Sequence, residues 1–219
     1  MQFPHALKGV KKIFAAEIVM LIGQVLLVPL YIIVLLGVGG DELADVLEKR
    51  APTYLWVLIL LIIGAVGSYV ISHIITIIGV LNASKDDNSF KISLLGIIVS
   101  IGTNIASFFL AENSMASAIC STTSQIANLA ITFFIIQGIR SIAIKLEDDI
   151  MEIKGANIFK IYFILVLLAA STHFVSKAFN NDIAEMINVI LIIISGILTV
   201  IQYILYLSYL KKARKMLET

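Results

Sequence analysis

Seven polar side chains stand inside long apolar stretches of this sequence: Glu17, Gln24, His73, Asn104, Gln125, Asn128 and Gln202. A carboxamide can donate and accept hydrogen bonds at once, and an acid or an imidazole can carry a proton. Residues of these types suit the binding of a small polar solute. Spacing adds to type. Ser93, Gly96, Ser100, Asn104 and Ser107 recur at three or four residues and so share one face of a helix. Ser117, Ser121, Ser124, Asn128 and Thr132 do the same on a second helix. Folding the two about Ser114 sets Ser107 against Ser121, Asn104 against Ser124 and Gln125, Ser100 against Asn128, and Gly96 against Thr132. The pair then forms the inner wall of a helical bundle. Two readings of the wall stay open. The polar residues line a water-filled cavity, or they hold helices together by hydrogen bonds of about 0.6 kcal/mol each.

Other chemistry is not encoded. The chain has no H-E-x-x-H, G-x-S-x-G, G-x-x-x-x-G-K-[ST] or G-x-G-x-x-G pattern. His5, His73 and His173 fall on three different segments, so no metal site and no cofactor are expected. The single cysteine, Cys120, excludes an intramolecular disulfide. A nucleophile and a base at one depth are not marked, so we expect no enzyme. A formal net charge of +1 argues against a nucleic-acid partner.

The elements that must position these residues follow from composition. Of 219 residues 59% are hydrophobic and 14% charged, and the mean hydropathy is +1.00. Soluble domains average about 45–50% apolar and about 25% charged. The expected fold is an all-α membrane protein with six transmembrane helices in one bundle. The spans fall at about 13–38, 52–81, 90–111, 117–137, 158–179 and 183–210. The first apolar run is too long for a cleaved signal and contains Glu17. Glu17, Gln24 and Tyr31 share a face, and Pro29 removes an amide donor from the same helix. Gly39-Gly40 ends span 1, and 42–50 reads as an amphipathic helix on the outer surface. Span 2 opens at Pro52 and carries a small-residue stripe of Gly64, Ser68, Ser72, Thr76 and Gly79, bordered by His73. Beyond Arg140 the helical spacing of Ile139, Ile142, Ala143, Leu146, Ile150 and Ile153 continues. It predicts a helical extension over 139–154, ending at Gly155. His173 lies on the polar face of span 5. Asp182 and Glu185 form a capping-box pattern before span 6, which carries Asn188, Ser195 and Gln202.

Charge sets the orientation. Lys8, Lys11, Lys12, Lys85, Lys91, Arg140, Lys145, Lys154, Lys160, Lys211, Lys212, Arg214 and Lys215 fall on one side of the six spans; only Lys49, Arg50 and Lys177 fall on the other. The positive-inside rule then puts both termini in the cytoplasm, with three hairpins joined on that side of a plasma membrane. Each hairpin opens with a basic and aromatic entry: Lys12-Ile13-Phe14, Phe90-Lys91-Ile92 and Phe159-Lys160-Ile161. The expected partners are the lipid bilayer and a small-molecule ligand, with a protein partner or a second copy as further candidates.

Two functions fit. One is a small-solute transporter or a substrate-binding membrane subunit with a polar cavity near spans 3 and 4. Its architecture is similar to that of energy-coupling-factor substrate-binding subunits, which also place six spans in about 200 residues, although no motif is shared. The other is a scaffold, regulator or assembly partner that docks through 139–154. The Lys- and Ile-rich, short-looped sequence resembles bacterial membrane proteins of low-GC genomes.

Overall fold

Every secondary-structure element described is an α-helix, as the apolar runs require. In lipid each backbone N–H and C=O must be paired within its own segment. The computed structural model describes residues 2–35, 52–110, 115–178 and 182–218. Six helices follow in chain order: α1 Pro4–Leu35, α2 Pro52–Ala83, α3 Asn88–Phe108, α4 Met115–Lys145, α5 Asp149–Ala178 and α6 Asp182–Glu218. Among the described residues four are long and apolar enough to cross a membrane, within Pro4–Pro29, Trp56–Ala83, Asn88–Ser107 and Ile126–Lys145. Their outward faces agree: Trp56, Leu60, Ile63, Val66 and Tyr69 of α2 are all exposed. An apolar surface this continuous is rare on a soluble monomer. The outer-surface stretch 42–50, the Gly39-Gly40 helix end and the turn at Ser114 lie outside the described residues.

The chain divides into two compact units, Lys11–Gly79 and the combination of Met1–Val10 with Val80–Thr219. In the first, α1 and α2 approach closely at Gly23, where a Cβ would stand 2.9 Å from Ser68 Cβ and 3.3 Å from the carbonyl oxygen of Ala65. The small-residue stripe of α2 therefore does pack. Its hydroxyls turn back onto their own helix: Ser68 Oγ donates to the Gly64 carbonyl (2.8 Å) and Thr76 Oγ1 to the Ser72 carbonyl (2.9 Å).

In the second unit α3 packs along α4, α4 against α5, and α5 against α6. The core lies near the polar ends of these helices, where Phe90, Ile135, Ile139, Ile142, Tyr209 and Leu210 are buried. The expected extension over 139–154 is corrected here. α4 ends at Lys145, and the chain reverses through Leu146–Asp148. Glu147 adopts the left-handed conformation (φ 58°). Asp148 N donates to the Ala143 carbonyl (2.9 Å) and Glu147 N to the Ile144 carbonyl (3.1 Å). This is the hydrogen-bond pair of a Schellman helix end. Asp148 then caps α5, its Oδ1 accepting from Met151 N (3.0 Å). Gly155 lies inside α5 rather than at a helix end.

Candidate functional site

The facing stripes of α3 and α4 meet in the register expected from a fold about Ser114. Ser100 Oγ donates to Asn128 Oδ1 (2.8 Å), and Ser124 Oγ donates to Asn104 Oδ1 (2.9 Å). The two pairs are joined, since Ser100 and Ser124 hydroxyls lie 3.5 Å apart. Two turns earlier on α3, Ser93 Oγ donates to the Ile131 carbonyl (3.1 Å). Gly96 departs from its expected neighbour: a Cβ there would face Ile131 and the Ala127 carbonyl, not Thr132. Ser93, Ser100 and Ser124 are buried, whereas Asn128 is exposed. The serines thus form a closed seam, and Asn128 stands at its accessible edge with its oxygen engaged. The Gln125 side chain lies outside the described residues.

The remaining site candidates are carried by α1, α2 and α6. Glu17, half-buried, and Gln24, exposed, are on α1. His73 of α2 sits in a local arrangement. Its Nδ1 is 3.0 Å from the Tyr69 carbonyl oxygen, and its ring centroid is 4.2 Å from that of Tyr69. Gln202 is buried on α6.

A second polar cluster holds the α2–α3 connection. Asp87 caps α3, with Oδ1 accepting from Ser89 N (2.9 Å). Its Oδ2 accepts from Ser141 Oγ (2.7 Å) and from Lys145 Nζ (3.0 Å), both at the end of α4. The side chain is only 7% exposed. Burial pushes the carboxyl pKa up, but the donors Ser141, Ser89 and Lys145 outweigh it and hold the group below its ordinary 3.8. Asp86 beside it accepts from Ala6 N (2.6 Å), one of the amides left open by the first turn of α1. Lys145 also stands 5.9 Å over the Phe3 ring. In the sequence, an Asp one residue before a helical pattern, as Asp87 is before α3, is an N-cap signal.

A cavity of about 180 Å³ opens between α4 and α5, lined by Phe133, Ile136, Gln137, Arg140, Gly155, Ala156 and Phe159. The Phe133 and Phe159 rings form one wall, 4.8 Å between centroids. Arg140 Nη2 donates to Glu152 Oε1 (2.9 Å). In the sequence Arg140 stands out only as one of the basic residues of the cytoplasmic side. The cavity exists because the chain reverses at 146–148 and brings Gly155 back beside Arg140.

Comparison with protein-family models, with curated proteins and with solved structures finds no match to this chain. What the chain shows on its own is a helical fold of several membrane-length apolar helices, compatible with a membrane protein.

Proposed function

We propose that this is a multi-pass plasma-membrane protein with six spans and both termini in the cytoplasm, which binds a small polar solute along the open edge of the α3–α4 hairpin. It acts as a transporter or as the substrate-binding subunit of one, without enzymatic activity. The supporting observation is Asn128. It lies about 18 Å along α4 from Arg140, at 1.5 Å per residue, and therefore deep in the apolar stretch. Its carbonyl oxygen is taken by Ser100, and the residue is exposed. An exposed carboxamide whose N–H groups meet no acceptor among the described residues is costly against acyl chains. It is at ease only against water, solute or protein.

The docking alternative draws less support. Ile139, Ile142 and Ala143, half of the apolar face that a partner would cover, are buried within the chain itself. Ile144, Ile150 and Ile153 stay exposed, a pattern that the bilayer surface also satisfies.

The test is thermal stabilisation of the purified protein by a panel of amino acids, nucleosides and small sugars. A stabilising solute whose effect is lost in Asn128→Leu and Asn104→Leu, at unchanged expression, supports the reading. Variants that merely lower yield, with every solute shift retained, reduce the seam to helix packing.

A further inference from the structure

The hydrogen bonds of the α3–α4 seam fix which atoms of its two asparagines stay available. Ser100 Oγ donates to Asn128 Oδ1 (2.8 Å) and Ser124 Oγ to Asn104 Oδ1 (2.9 Å). Both serines are buried, so their protons need acceptors inside the seam. The carboxamide oxygens are those acceptors. Turning the amides round would take the oxygens away and leave the hydroxyls only each other, at 3.5 Å, as a side-chain acceptor. What remains outward on each asparagine is therefore its NH2 group. Both asparagines are exposed, and neither NH2 group meets an acceptor among the described residues.

Helix geometry puts the two NH2 groups on one edge. The pairings 93–131, 100–128 and 104–124 run in opposite senses, so α3 and α4 are antiparallel. Ser100 and Ser124 face each other across the seam. Asn104 follows Ser100 by four residues on α3, and Asn128 follows Ser124 by four on α4. Four residues make one turn plus about 40°. On antiparallel right-handed helices that extra rotation swings both side chains out of the interface to the same side. The two stand about 6 Å apart in depth, at 1.5 Å per residue.

Charge narrows the class of ligand further. Between Lys91 and Arg140 the chain holds a single charged residue, Glu112. An anion at this edge would lose its water and gain no counter-charge from the hairpin, and an unpaired ion is the costliest group to dehydrate. A cation would meet N–H donors, with the carboxamide oxygens already taken by the serines.

Granted the solute site proposed above, on which this step rests, we propose that its ligand is an uncharged molecule recognised through hydrogen-bond acceptors. Its carbonyl oxygens accept from the Nδ2 groups of Asn104 and Asn128. Solutes that carry ammonium groups are rejected, because the edge offers no free oxygen to receive their protons.

The test is thermal stabilisation of the full chain in detergent by three probes. 1,3-Dimethyluracil is neutral, with two carbonyl oxygens and no N–H. Putrescine is a dication with donors alone, and succinate is a dianion with acceptors alone. Dimethyluracil stabilises the protein, and the two ions do not. Asn128→Leu and Asn104→Leu each remove one hydrogen bond and raise the concentration for half-maximal stabilisation about five- to tenfold. Asn128→Asp keeps an oxygen for Ser100 but turns the outward donors into an acceptor, and it moves the preference from dimethyluracil to putrescine. If Asn128→Leu does not fold, Asn104→Leu on the other helix decides. Stabilisation by putrescine, by succinate or by another solute that both leucine variants weaken, with dimethyluracil silent, overturns the ligand class and leaves the solute site standing. No response to any solute, or a response that both leucine variants retain in full, removes the site and the ligand class together.

Discussion

Replacing Asp87 separates two roles of one carboxylate. Its Oδ1 caps α3, and its Oδ2 receives Ser141 and Lys145 from the end of α4. Asparagine caps a helix about as well as aspartate, so Asp87→Asn keeps the first role and weakens the second. A hydrogen bond to a charged acceptor contributes about 1.5–3 kcal/mol against about 1 for a neutral one. The Lys145 side chain is 47% exposed, which limits its pairing to under about 1 kcal/mol. Asp87→Asn should therefore destabilise by about 1–2 kcal/mol. Asp87→Ala also removes the cap, worth about 1 kcal/mol, and strands the Ser141 hydroxyl, for a total near 3 kcal/mol. At about 2–4 °C per kcal/mol for a chain of this size, the alanine variant melts about 6–12 °C lower. Thermal unfolding of the detergent-solubilised protein, followed by tryptophan or fused-fluorophore signal, reads this directly. The pH dependence gives a second check. A carboxyl held below 3.8 in the folded state contributes stability above its unfolded value and loses it as pH falls through the folded value. The gap between wild type and Asp87→Asn is thus full at neutral pH and closes as pH drops below 3.8. Equal melting of the two proteins at pH 7, or a gap that persists undiminished in strong acid, would refute the assignment.

Three further outcomes follow from the geometry. Glu147→Gly relieves a side chain held at φ 58° and should stabilise by about 1 kcal/mol; a lower melting temperature would show that Glu147 makes a contact outweighing its backbone strain. Gly155→Ala brings a methyl to 2.6 Å from Tyr209 Oη and should cost about 1–3 kcal/mol. Adding Tyr209→Phe, which removes the colliding oxygen, recovers part of that loss, and a strictly additive double variant would contradict the contact. A double-mutant cycle on Ser100→Ala and Asn128→Ala should give a coupling of about 0.6 kcal/mol; zero coupling would remove the seam from the account.

The legible parts of the fold were those set by periodicity. The 3.6-residue spacing of Ser100, Asn104, Ser124 and Asn128 determines which residues can face one another, and the hydrogen bonds follow that spacing. Span 2 was readable at both ends because Pro52 starts it and the polar link after Ala83 stops it. The reversal at 146–148 was not readable in the same way. Apolar spacing runs through it from Ile139 to Ile153, and the residue in the left-handed position is a glutamate, not the glycine or asparagine that usually marks a helix end. The signal was instead Asp148, an N-cap followed by Asp149 and Glu152 in the first turn of α5. The Arg140 cavity depends on that reversal, which sets Phe159 of α5 against Phe133 of α4, and no local pattern encodes such a meeting. Glu17, Gln24, His73 and Gln202 were singled out by chemical type and by position on their own helices, and neither determines what a side chain faces.

The most direct test of the hairpin's open edge uses the chain's single cysteine. In a Cys120→Ser background, cysteines placed at Asn128 and, as a lipid-facing control, at exposed Ile126 are challenged in intact membranes with a charged, water-soluble thiol reagent. A polar passage along α4 makes the Asn128 cysteine react readily while the Ile126 cysteine stays inert. Equal inertness at both positions would mean that no water reaches this edge and that the hairpin is packing alone.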